Sequence, residues 1–179
     1  MDAVFSGSVI AMGGGVIFSA LLGWACVSDL RTRRIPNRLV AVLAIGGLLF
    51  SLFAQRGGVP SAVAGLLVGF ALWFPVYVLG ALGAGDVKLF AAAAAWLGPR
   101  GAIEAAILAA VAGGVLAVVM IASAGTVRET LRTLMLRLTT RSLRPAERVT
   151  AARDPRQLPY GIALAAGALL AGWLPTIAW

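Results

Sequence analysis

The chain has no histidine and a single cysteine, Cys26. A Ser-His-Asp triad, an intrachain disulfide and a Cys/His metal site are therefore all unavailable. Charge is scarce too: 12% of the 179 residues are charged and 60% are hydrophobic, with seven acids and one lysine, Lys88. A soluble domain of this length needs more polar surface, and repeated apolar runs of span length define a polytopic membrane protein. The N-terminus does not read as a conventional signal peptide, because positive charge follows the first apolar run instead of preceding it. Cys26 follows Gly23-Trp24-Ala25, and the bulky Trp24 does not suit a lipoprotein signal, so the thiol reads as a membrane-embedded group with no special role. The phosphate-loop spacing that ends in Lys-Ser/Thr is absent, so the glycines around 83–85 do not read as a nucleotide loop.

What is present is a series of apolar runs at about 9–27, 39–54, 61–82, 87–98, 102–124 and 158–179. They predict an all-α, polytopic membrane protein of about six transmembrane helices, forming one domain over 1–179. Gly13-Gly14-Gly15 and the Gly65/Gly69 pair are small residues that let membrane helices approach closely. Pro36 marks a turn, Pro75 predicts a kink in the third run, and Pro99-Arg100-Gly101 turns the chain between the fourth and fifth. Glu104 falls in the first turn of the fifth helix, where the helix dipole favours negative charge. The fourth run is short: twelve residues rise only about 18 Å as helix, against a hydrocarbon core of about 30 Å. It is tilted in a thinned region, re-entrant, or begins below the membrane surface. Between the fifth and sixth runs, Val127, Leu131, Leu134 and Leu138 repeat at helical spacing, flanked by Arg128, Arg132, Arg137 and Arg141. That pattern is an amphipathic surface helix within a basic loop at 125–157.

The net charge of +8 is distributed as a membrane topology signal, not as a nucleic-acid surface. Arg31, Arg33, Arg34 and Arg38 follow the first run, and eight arginines from Arg128 to Arg156 separate the fifth from the sixth. Only Arg56 and Arg100 lie in the alternate loops. With six spans the basic loops are cytoplasmic and both termini are outside. Asp29 and Asp86 then fall at the same, cytoplasmic, side.

The other five acids are terminal (Asp2), at the opposite interface (Glu104) or in the arginine-rich loop (Glu129, Glu147, Asp154). Asp29 and Asp86 remain. If they meet, they cannot both ionise easily, and such a pair can activate water and protonate a leaving amine without metal or histidine. If they do not meet, they are separate helix-end acids paired with neighbouring Arg and Lys. Gly83 and Gly85 permit positive φ and close backbone approach, which lets an extended peptide lie against the segment. Lys88 pairs with Asp86, attracts an acidic substrate group or adds to the positive-inside charge. Two rival readings use the same residues differently: a Ser-Lys peptidase built on Ser28 and Lys88, and a small ion-coupled transporter or an assembly scaffold in which Asp86 is an ion site.

Gly83-Ala84-Gly85-Asp86, continued by Val87-Lys88-Leu89, resembles the second catalytic motif of the type IV prepilin peptidase family, membrane aspartic proteases with a Gly-x-Gly-Asp signature. Ser28-Asp29-Leu30-Arg31-Thr32-Arg33-Arg34-Ile35-Pro36-Asn37 resembles the first motif, and Leu158-Pro159-Tyr160-Gly161 the motif that opens the final span. The tetrapeptide is shared with presenilin-like proteases; the three motifs in order cover most of the chain. The resemblance implies that Asp29 and Asp86 are the catalytic pair, with Gly83, Gly85 and Lys88 in the active-site loop. It implies a bacterial inner-membrane endopeptidase that removes a short basic leader from prepilins at the cytoplasmic face. Its partners are the prepilin and membrane lipids, with no nucleic acid, metal or cofactor. Larger members carry a CxxC-bearing domain associated with methylation. No such motif occurs here, so methylation is not implied, and the short form resembles peptidases of tight-adherence (Flp-type) pili. The 125–157 insert is longer than the minimal family pattern.

The charge pattern predicts that reporter fusions after Gly57 report outside the cytoplasm and fusions after Thr140 report inside it. The reverse assignment at either site would overturn the topology.

Overall fold

A computed structural model of the chain describes residues 2–32, 35–53, 57–79, 82–123 and 160–173. The helices among them are α1 (Asp2–Thr32), α2 (Asn37–Phe53), α3 (Gly58–Val78), α4 (Ala84–Ser123) and α5 (Tyr160–Trp173). The expected amphipathic helix and the whole 125–157 loop lie outside the described residues. So do Arg33, Arg34 and Arg56.

Helix α4 is two helices joined at a corner. Gly98 has φ 71 and ψ 179, a non-helical backbone conformation that essentially only glycine adopts. Pro99 follows at the first position of the second leg, where a missing N–H removes no helical hydrogen bond. The helix therefore starts at Pro99, which moves Glu104 from the expected first turn to the second.

Contacts along α5 show that the corner reverses the chain. Gly161 stands beside Asp86 and Gly172 beside Leu97, so α5 runs parallel to the leg 84–97. Gly113 meets Ala163 and Gly167 meets Ala109, so α5 runs antiparallel to the leg 99–123. The remaining helices alternate in the same way. Ile35 lies against Gly85, and Gly46 and Gly47 lie against Trp96, so α2 is parallel to the first leg. Gly65 lies against Gly98, Gly69 against Ala91 and Trp73 against Phe90, so α3 is antiparallel to it. Helix α1 is antiparallel to α5, with Phe18 near Gly172 and Asp29 near Gly161. Asp29 and Asp86 thus share one end of the bundle and Gly98 marks the other.

By length and composition three segments can cross a membrane: Met12–Thr32, Gly58–Val78 and Ala84–Leu116. The last is folded at Gly98. Asn37–Phe53 and Gly161–Trp173 are apolar but shorter. The outward faces are apolar as well: Met12, Trp24, Leu67, Ile107 and Val115 are all exposed. Such continuous apolar surface suits lipid, not water.

The leg 84–97 is the centre of the bundle. Val87, Leu89, Phe90, the alanines at 91–95 and Trp96 are all buried. Small side chains there let neighbouring backbones come close. At Gly65 a Cβ would overlap the Ala94 carbonyl oxygen, and at Gly69 it would stand 2.6 Å from the Ala94 Cβ. In lipid, helices cohere through such close packing because the tails are as apolar as the side chains. Trp96 anchors the far end. Its ring lies over Gly46 and Gly47, and its indole N–H donates to the Leu43 carbonyl at 2.7 Å. Phe18 and Phe50 flank it, with ring centroids 5.4 and 5.2 Å away. Pro75 does not end α3, which continues for most of another turn to Val78, with Leu79 donating to the Pro75 carbonyl at 3.0 Å.

Gly98→Ala is expected to lower stability by about 1–3 kcal/mol, because the backbone there excludes a Cβ and that atom would meet the Ser61 hydroxyl at 3.0 Å. Gly114→Ala, at a helical position with open space, is the control and should be neutral or stabilising by up to about 1 kcal/mol. Unfolding of both in detergent checks the contrast.

Candidate active site

Gly83 caps the central leg. Its carbonyl accepts from the backbone N–H of Asp86 at 3.2 Å and of Val87 at 3.3 Å. The Asp86 carboxylate folds back to accept from the Gly83 N–H at 3.3 Å. This is the reciprocal half of a capping box, with a carboxylate in the first turn where the helix dipole favours it. A Cβ at Gly83 would stand 3.2 Å from Asp86 Oδ2, so glycine leaves the room the carboxylate needs. The positive φ expected to matter at Gly83 and Gly85 is not used. Among the described residues, glycines with positive φ are Gly57, Gly58 and Gly98. What Gly83 supplies is space, whereas a Cβ at Gly85 would make only ordinary van der Waals contact. The face of Gly85 that lacks a Cβ looks onto Ile35, whose side-chain atoms would lie 3.6 to 3.9 Å away from one.

That contact joins the two motifs. Helix α1 continues through Asp29 to Thr32, whose hydroxyl donates to the Ser28 carbonyl at 2.8 Å. At the start of α2 the Pro36 carbonyl accepts from Leu39 and Val40 at 3.0 and 3.3 Å. Ile35 is half-buried and sits on the Gly-Ala-Gly segment.

Asp29 and Asp86 meet at Gly161. A Cβ placed on that residue would be 2.7 Å from Asp29 Oδ2 and 3.4 Å from Asp86 Oδ1. Two carboxylate oxygens thus stand within van der Waals reach of one point, contributed by a third helix. Both aspartates are half-buried and Gly161 is buried. Of the alternatives open in the sequence, the geometry is that of acids that meet. Their helices come from opposite directions along the bundle, α1 ending and α4 beginning there.

Lys88 is exposed. Two residues from Asp86 in one helix, it lies on the opposite side, because positions i and i+2 do not face each other. Pairing with Asp86 within the helix is therefore excluded by helical geometry. The Ser28–Lys88 arrangement gains no support for the same reason, since Lys88 turns from the side where α1 approaches.

The leg 99–123 extends beyond the acids. Gly113 is level with Ala163, half a turn from Gly161, and ten further residues of helix follow it. They add about 15 Å. Asp86 therefore begins its helix at a depth where the neighbouring helix is still running.

An α-helical membrane bundle with two converging carboxylates is thus the class of protein that fold and site define. The sequence profile of the Type IV leader peptidase family matches residues 16–118. The match takes in more than half of the chain and both aspartates, and the chain belongs to that family. It is 38% identical to the prepilin leader peptidase/N-methyltransferase of Klebsiella pneumoniae over 106 residues, 53% of this chain and 46% of the relative. With the protein of the same name from Aeromonas hydrophila the identity is 39%, over 50% of this chain and 34% of that one. With that of Burkholderia pseudomallei (strain 1026b) it is 31%, over 65% and 40%. Each match spans less than half the length of the relative. No solved structure matches the chain.

Two residues in this arrangement had no role in the sequence reading. Gly161 was visible only as the end of Leu158-Pro159-Tyr160-Gly161, and Ile35 only as part of a turn. The Pro-Tyr-Gly opening of a final helix was the available signal for the first. Nothing local marked the second, whose contact with Gly85 exists only in three dimensions.

Because an asparagine retains an acceptor oxygen for the Gly83 N–H, Asp86→Asn should fold with stability close to the native chain. Asp86→Ala removes the cap and should lose about 0.5–2 kcal/mol. Comparing their unfolding midpoints tests the capping role apart from any chemistry.

Proposed function

We propose that the chain is an aspartic endopeptidase of a bacterial inner membrane that removes the short basic leader of prepilin-like precursors. Family membership supports a protease acting on prepilins. The observation that carries the aspartic reading is the convergence of Asp29 and Asp86 on Gly161, from helices distant in sequence. One carboxylate takes a proton from water as its oxygen attacks the scissile carbonyl, and the other, protonated, donates to the carbonyl oxygen. The tetrahedral intermediate then collapses as a proton passes to the leaving amine and the C–N bond breaks.

Several features fit a peptide substrate. Asp86 opens a helix beneath a longer neighbour, and Gly83 is exposed beside it, so a backbone can approach where no side chain stands. The arginine distribution supports six spans with the acids at the cytoplasmic side, the side where a basic leader is held before export. The proposal concerns leader cleavage alone. Family membership gives no support to the transporter or scaffold reading.

Asp29→Asn and Asp86→Asn should each lower cleavage of a prepilin by at least about 100-fold while the protein still inserts. Incubating purified variants in detergent with a candidate prepilin and following leader loss by mass checks this. Native-level processing by either variant would sink the proposal.

A further inference from the structure

We infer that Gly161 is a positioning residue of the site: only a hydrogen at that place lets both carboxylates keep their approach. The inference rests on the paired-acid reading above. Gly161 lies outside the stretch matched by the family profile, which ends at residue 118. It is the second residue of α5 and closes the Leu158-Pro159-Tyr160-Gly161 motif, but carries neither charge nor nucleophile. Its role follows from what a side chain there would strike: Asp29 Oδ2 at 2.7 Å, Asp29 Cγ at 3.2 Å and Asp86 Oδ1 at 3.4 Å.

The kind of atom struck separates Gly161 from the packing glycines. At Gly167 a Cβ would meet the Ala109 backbone nitrogen at 2.5 Å and its Cα at 2.6 Å. Backbone cannot yield without moving a helix, so that glycine maintains the fold. At Gly161 the atoms struck are the ends of rotatable side chains. The helices keep their places, and the carboxylate of Asp29 swings away instead. Alanine at 161 thus spares the bundle and spoils the pair. The effect falls on the chemical step, because reacting groups displaced by about 1 Å can lose about 100-fold in rate.

The test compares the native chain, Asp86→Asn, Gly161→Ala and Gly167→Ala, each assayed for prepilin cleavage per folded molecule. Gly161→Ala is expected to lose about 100-fold in kcat with KM little changed and native-like thermal stability. Gly167→Ala is expected to lose the thermal stability that Gly161→Ala keeps. A second readout needs no activity. In a Cys26→Ser background carrying Asp29→Cys and Asp86→Cys, a short bifunctional thiol reagent should link the two positions, read by mass. Adding Gly161→Val should lower the yield severalfold, and adding Gly114→Ala, at a position with open space, should not. Absence of cleavage by the native chain, or native-level cleavage by Asp86→Asn, overturns the paired-acid reading and this inference with it. With those two controls as expected, native-level cleavage by Gly161→Ala overturns the inference alone. So does a link yield that Gly161→Val leaves unchanged.

Discussion

Close approach of helix backbones is the constraint on which the structure depends. Apolar side chains gain little by leaving lipid for protein, so cohesion comes from packing without gaps. The alanines at 91–95 and the glycines at 46, 47, 65 and 69 meet this requirement around one short helix. The leg 84–97 can sit at the centre because its alanines and the glycines of α2 and α3 let the backbones approach where they cross. Its large residues, Phe90 and Trp96, are placed where an aromatic neighbour or a glycine pair receives them. The Trp96 indole bond to the Leu43 carbonyl fixes its rotation as well as its depth.

Fixing that helix fixes Asp86. Its N-terminus is tied by the exchange of hydrogen bonds between Gly83 and Asp86 and covered on one side by Ile35. The turn that carries Ile35 follows directly from the helix that carries Asp29, so the two motifs are held in register by one contact. The third motif arrives on α5, which packs closely on Ala109 and carries Gly161 beside the acids. Three segments far apart in sequence therefore converge at one end of the bundle. The end opposite, with Gly98 and the aromatic cluster, is structural.

The comparison with relatives is consistent with this division. The family profile takes in the two acids and the hairpin around the central leg, and stops before α5. The helix whose Gly161 faces both carboxylates lies beyond it. A short polar site set in an alanine and glycine framework leaves few residues that identify it, and those few are concentrated in the two motifs.

Much was readable from residues alone. Apolar run lengths gave helices, and the Gly65/Gly69 spacing marked a packing face, because period and small-residue spacing are local properties. Elimination among seven acids left Asp29 and Asp86, since scarce charge makes each carboxylate conspicuous. The Gly98 corner was anticipated as a turn from Pro99, though the reversal it makes is a matter of backbone conformation. Other expectations depended on more than local pattern. Pro75 lies inside a helix that runs on to Val78, so the proline does not end it. Gly83 and Gly85 permit positive φ or close approach, and the structure uses neither residue's positive φ; Gly83 supplies room for the Asp86 carboxylate. Lys88 was left open as a partner of Asp86 until the helix starting at Ala84 turned it away. The sequence by itself determined which residues could do chemistry and which stretches could be helical. Only the tertiary structure decided that the two acids meet, and that a glycine from α5 stands between them. Such a meeting depends on the depth and rotation of helices packed against one another, and no local pattern encodes either.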